Sequence, residues 1–136
     1  MSYAVSSALQ EAIFDLLRND AGLAAFAGEA IFDQAPAGPL PDLYVTLGEE
    51  NVRDASDRSG TGSRHLLTVE VTTDSAGFRR AKQAAGAVCD ALQDARPSLT
   101  RGRLVTLRFD RATARRRDRG ETRQIVLRFH ARVADD

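Results

Sequence analysis

Few residues in this 136-residue chain could carry covalent chemistry: there is one cysteine, Cys89, and there are two histidines, His65 and His130. A structural zinc site wants about four nitrogen or sulfur ligands, and this inventory does not supply them. Cys89 lies beside the apolar stripe of a predicted helix, where a small buried thiol is the ordinary reading and an activated nucleophile the exceptional one. His65 opens a predicted strand and reads as a sheet-edge residue. His130 alternates with Phe129 and reads as facing away from the core. Neither adjoins a serine or cysteine in a triad motif, although triads assemble in space and not along the chain. The stretch "SGTGS", Ser59 to Ser63, is glycine-rich like a phosphate loop. A phosphate cradle needs a strand before its glycines and a helix N-terminus after them. Here a strand follows, so a hairpin tip is the better reading. The chain therefore reads as a non-enzyme, with no metal and no cofactor.

What is concentrated is arginine. In "ATARRRDRGETR", Ala112 to Arg123, Arg115, Arg116 and Arg117 are consecutive, although the whole chain carries 19 basic and 19 acidic residues. The zero net charge hides a polarity: up to Val52 there is one basic residue, Arg18, against eight acidic ones, so the first part carries about −7 and the remainder about +7. Strand alternation must send consecutive arginines to both faces, and an unpaired guanidinium is costly to bury. The group Arg111, Arg115, Arg116, Arg117, Arg119 and Arg123 is thus expected to face solvent or a partner. Asp118 and Glu121 interrupt the positive charge, and a planar fork suits bidentate pairing with carboxylates. Docking on protein is the favoured role. Contact with a DNA backbone is the alternative, and a solvated tip is the plain reading.

The elements that would position these groups follow from periodicity. Leu9, Ile13, Leu16 and Leu17 mark a first helix, with Ser7 and Gln10 spaced as a capping box. Asp20 and Gly28 bracket a short second helix. Ile31-Phe32 suits a short strand, and Pro36, Pro39 and Pro41 then hold an extended linker. Leu43, Val45 and Leu47 alternate as a strand, as do His65, Leu67, Val69 and Val71. Between them lies a polar, glycine-bearing stretch with Arg53, Asp54, Asp57, Arg58, Gly60, Gly62 and Arg64, expected to be a mobile docking loop. Phe78, Ala81, Ala85, Val88 and Leu92 mark the major helix, with Pro97 and Gly102 as its stop. Val105, Leu107 and Phe109, then Ile125, Leu127, Phe129 and Val133, mark two closing strands about a turn at Asp118–Glu121. The expectation is a single α+β domain over residues 1–136: a small, largely antiparallel sheet with helices packed on one face and two long hairpins.

The stretch "IFDQAPAGPLPDLYVTLGE", Ile31 to Glu49, resembles the signature of small phage tail completion proteins, tail terminators included. In that family an entry strand leads through a proline-bearing loop into a strand ending in Gly-Glu. The resemblance continues through "HLLTVEVTTDSAG", the helix from Phe78 to Leu92 and the closing pair of strands. Its nearest flavour is the version found in gene transfer agents, phage-derived particles that package host DNA. It implies a structural protein that forms a hexameric ring on the head-proximal end of the tail tube. Such a ring ends tube polymerisation and allows head–tail joining. The implied partners are other copies of the chain, the tail tube protein and the head–tail connector, with possible non-specific contact to DNA in the channel.

The arginine-dense hairpin from Arg111 to Arg123 matches no motif of that family. A closed ring needs two different surfaces of each subunit to meet, which the split in charge suits. The carboxylates Glu11, Asp15, Glu49 and Glu50 are candidates for the ring interface. A small DNA-binding module using the hairpin is the alternative, without a helix-turn-helix or ribonucleoprotein motif to support it. Apolar runs fall short of the roughly 20 residues that span a bilayer, and no charged-then-apolar leader is visible. Assembly in the host cytoplasm, then residence in the particle tail, is the expected location.

Overall fold

The computed structural model describes residues 3–135. Three helices, α1 (Ser6–Arg18), α2 (Ala21–Ala27) and α3 (Arg79–Leu92), pack on one face of a sheet. The strands are β1 (Ile31–Phe32), β2 (Leu43–Leu47), β3 (Asn51–Asp54), β4 (Gly62–Thr73), β5 (Arg103–Arg117) and β6 (Thr122–Ala134). Spatial order is β1-β2-β4-β6-β5, with β3 also on β4. Only the β1–β2 pair is parallel. The fold is α+β.

Helical spacing buries Leu9, Ile13 and Leu17 of α1 and Ala81, Ala84, Ala85, Val88 and Leu92 of α3. These meet Val45, Val69, Val71, Ile125, Leu127, Phe129, Ala131 and Val133 from the sheet in one core. The alanines of α3 let its axis approach the sheet closely, and apolar burial at about 25 cal/mol per Å² holds the layers together. Asp20 caps α2 through a 2.8 Å bond from the Leu23 N–H, and Gly28 ends it at φ 57°.

Several local expectations are revised. Ser7 is not the cap of α1: the helix begins at Ser6 behind Val5, with no side-chain cap. The hydroxyl of Ser6 is instead taken by Glu50. Helix α3 stops at Leu92, before Pro97, because Gln93 turns extended and Asp94 adopts a left-handed φ of 54°. Val105 does not share the face of Leu107 and Phe109. Register shifts between Leu104 and Thr106 and between Phe109 and Arg111 each insert one extra residue. The first shift puts Leu104 and Leu107 in the core and leaves Val105 out of it, while Phe109 keeps the face of Leu107 and packs edge-on against Phe129 but, on the outermost strand, is 52% exposed.

The stretch from Arg53 to Arg64 is not one open loop. Arg53 and Asp54 belong to β3 and Gly62–Arg64 to β4, paired Arg53↔Arg64 and Asp54↔Ser63. Asp57, Arg58 and Gly60 form the tip, closed by an Asp57↔Gly60 bridge. Asp54 and Asp57 each accept from a serine two residues on, and Thr61 exchanges bonds with Asp135. Strands β2 and β3 run in series along the same edge of β4, with a break at Gly48–Glu50. Gly48 suits the break: a Cβ there would lie 3.0 Å from Glu70 Oε1 and 3.1 Å from Thr68 Cγ2.

Candidate functional site

The break between β2 and β3 carries Glu50 inward, and it completes a chain of side chains with triad-like order. Ser63 Oγ lies 2.8 Å from His65 Nε2, and His65 Nδ1 lies 3.0 Å from Glu50 Oε2. His65 is thus no edge residue. It sits in a central strand between β3 and β6 and is fully buried. The other carboxylate oxygen of Glu50 accepts from Tyr3 Oη at 2.6 Å and Ser6 Oγ at 2.7 Å. Burial alone would raise the pKa of Glu50, but the hydrogen bonds from Tyr3, Ser6 and His65 together outweigh it and hold the carboxyl below its usual range.

A serine nucleophile needs an open path to its Oγ and donors for a developing oxyanion. Ser63 is wholly buried, so no substrate carbonyl can reach it. The network fastens the start of α1 to the strand break and to β4, a structural use of residues that could do chemistry elsewhere. Two positions apart on one strand, Ser63 and His65 share a face by simple alternation. That S-x-H spacing was the available sequence signal; the arrival of Glu50 through a break was not legible.

The arginine hairpin is a sheet corner and not a free arm. Strand β6 remains paired with β4 as far as Arg123↔Thr73, while β5 pairs with β6 up to Arg117↔Thr122. The turn runs through Asp118, Arg119 and Gly120 at φ 53°, 58° and 88°. On the outer face Arg115 places a fork on Gln124 Oε1 at 3.0 and 2.7 Å, and Arg117 reaches the same oxygen at 3.5 Å. Gln124 in turn donates to Glu70 and Thr72, each at 3.2 Å. On the helix face Arg116 and Arg123 lie over the ring of Phe78. Arg111 has only a loose contact to Asp110 at 3.9 Å, and Arg119 is exposed at the turn. Four of the six grouped arginines are therefore engaged inside the subunit as well as facing out.

A second basic surface emerges from register. The sheet face away from the helices carries Arg53 on β3, Arg64 on β4 and Arg132 on β6, abreast by direct pairing Arg53↔Arg64↔Arg132. Arg111 and Arg128 form another facing pair. Like charges placed opposite one another on adjacent strands destabilise a sheet. Arg64, Arg108, His130 and Arg132 share an open groove of about 520 Å³. His130 is exposed beside Asp110 at 3.3 Å.

Glu11 and Asp15 are exposed on α1, and Glu49 is exposed at the strand break. Glu50 differs from them: its side chain is 16% exposed and both oxygens are occupied within the subunit, so it is not a free interface carboxylate. Cys89 is half-buried; burial first, then Asp90, pushes its thiol pKa up, against a nucleophilic role. Among the described residues no group of three or more His, Cys, Asp or Glu side chains could hold a metal ion, and no helix is long and apolar enough to cross a membrane.

The family profile described as Tail completion protein gp17 matches residues 11–134. No curated protein sequence matches the chain. Among solved structures, a chain of "Virion of native gene transfer agent (GTA) particle" is 53% identical, with 98% of this chain and 99% of that chain covered and a TM-score of 0.93. With a profile match over almost the whole length and a fold shared with a virion component, this chain belongs to the tail completion protein family, structural tail proteins that are not enzymes.

Proposed function

We propose that the protein closes into a ring, a hexamer on the family resemblance, at the head-proximal end of a tail tube. There it ends tube polymerisation and presents a surface to the head–tail connector. The observation that carries this reading is the end-to-end likeness to a chain of a gene transfer agent virion, together with membership of the tail completion family. The fold is compatible with it: one sheet face is packed by helices, and the other carries charge without a covering layer. Assembly takes place in the host cytoplasm before the ring joins the particle.

In this reading the corner at Arg111 and Arg119 and the hairpin tip at Asp57, Arg58 and Gly60 are the parts that meet tube or connector. Exposed ion pairs contribute about 0–1 kcal/mol each, so charge sets orientation more than affinity. The test is electron microscopy of particles made without this protein. Tails of abnormal length and DNA-filled heads without joined tails are expected. Normal, DNA-transferring particles would overturn the reading.

A further inference from the structure

Three features invite explanation beyond capping: the buried Ser63–His65–Glu50 chain, the exposed Phe109 beside Cys89, and the bare arginine face. The first is closed to any ligand, and nothing identifies what would cover the second. The third carries an argument, because its complement is displayed on the same molecule.

Across β3, β4 and β6 the side chains of Arg53, Arg64 and Arg132 stand abreast. The spacing of neighbouring strands is about 4.8 Å, so the three arginines spring from backbone positions spanning about 10 Å. The nearby acid is meagre. Asp57 approaches Arg132 only to 3.9 Å, and Glu70 is held by Gln124. Within the free subunit this array is a net electrostatic cost. On the far side of the molecule the charge is opposite. From Tyr3 to Gln34 the only basic residue is Arg18, and Glu11, Asp15, Glu29 and Asp33 are exposed. Glu11 and Asp33 line one groove of about 440 Å³ along α1 with Tyr3, Gln10 and Phe14. None of these carboxylates has an ion-pair partner among the described residues.

We propose that the bare arginine face of one subunit receives the acidic outer side of α1 from a second copy of this chain. The inference rests on the ring reading and deepens it by naming the two surfaces that meet. Charge balance favours a second copy over DNA as the occupant. A surface built for phosphates normally gives its domain a net positive charge, whereas this chain is neutral, with 19 charges of each sign. Head-to-tail contact between unlike surfaces lets each copy neutralise the next, and it is the geometry from which rings close. Tyr3, 64% exposed at the rim of the α1 groove, adds an aromatic anchor of the kind enriched in interfaces.

The test uses two reciprocal variants of the full chain. Arg53→Glu with Arg64→Glu makes the row formed with Arg132 net acidic; Glu11→Arg with Asp15→Arg makes the outer side of α1 basic. Circular dichroism and thermal melts establish that each is folded. Sedimentation is then measured at low salt, alone and mixed. Each variant alone should self-associate about tenfold or more weakly than wild type, because its two surfaces now repel. An equal mixture should recover association, since acidic face then meets basic helix and basic face meets acidic helix at alternate contacts. Association of either variant as strongly as wild type, or mixing without recovery, would overturn the proposal while leaving the ring itself intact. A wild-type chain that associates neither alone nor on tails would instead defeat the ring reading, and this inference with it. A third outcome also counts against it: unchanged self-association with loss of duplex-DNA retention in Arg53→Glu/Arg64→Glu would assign the face to phosphates.

Discussion

Arg116 and Arg123 face each other across the β5–β6 pair, and both guanidinium groups lie over the ring of Phe78, at 5.7 and 5.8 Å from its centroid. Two like charges directly opposite would repel; the attraction of both to one aromatic π-face offsets that repulsion. Arg123 is further held by a 3.1 Å bond to the Ser75 carbonyl. One aromatic ring at the start of α3 thus ties the arginine corner to the helical layer.

Phe78→Leu should keep most of the apolar packing and lose the cation–π attraction, at about 0.5–1 kcal/mol for each arginine. Phe78→Tyr should stay near wild type. Urea unfolding of the three proteins would check this. Equal midpoints for Leu and Phe would mean that the ring contributes only bulk.

Acid should loosen the network at the strand break, with a sign set by Glu50. Its carboxyl titrates below the ordinary glutamate value of 4.5 in the folded chain. Its contribution to stability is therefore complete above that value and is lost as pH falls through the lower, folded value. Glu50→Gln should be less stable than wild type near neutral pH, with the gap closing on acidification. Parallel urea midpoints across that range would show that the carboxylate charge is irrelevant.

Ser63→Ala removes the partner of a fully buried imidazole nitrogen. A buried group left unsatisfied costs about 1–3 kcal/mol, so the melting temperature should fall. Neither wild type nor variant should hydrolyse activated esters. Turnover that depends on Ser63 would contradict the closed geometry.

Gly102 has φ 78°, and a Cβ there would lie 2.8 Å from the carbonyl oxygen of Ala134. Gly102→Ala therefore suffers both a left-handed backbone and a backbone clash, and should destabilise by more than about 1 kcal/mol. Gly120→Ala, at φ 88° with no atom within 4 Å, separates the two effects, since it bears the backbone strain alone. Thermal melts should rank Gly102→Ala below Gly120→Ala.

Where residues alternate without interruption, the sequence was a faithful guide. Ile125, Leu127, Phe129 and Val133 all face the core as period two requires. In β5 the same rule misplaced Val105, because a bulge leaves no mark on a pattern of apolar and polar letters. The concentration of arginine was visible, but its division was not. That Arg116 turns to Phe78 while Arg115 turns to Gln124 depends on which face the helices cover. The row Arg53, Arg64 and Arg132 was invisible because it exists only through strand register. Glu50 read as a surface carboxylate because the strand break that turns it inward requires tertiary contacts.

Strand β5 is the outer strand of the sheet and 15 residues long. A flat, apolar edge of that length would recruit other chains into cross-β stacks. Here two bulges twist the edge out of register, and Arg108, Arg111, Arg115, Arg116 and Arg117 occupy it as exposed charges. Such an edge keeps free copies of the chain from pairing strand to strand. Copies can accumulate without templating fibrils, and the arginine-dense stretch is part of what guards that edge.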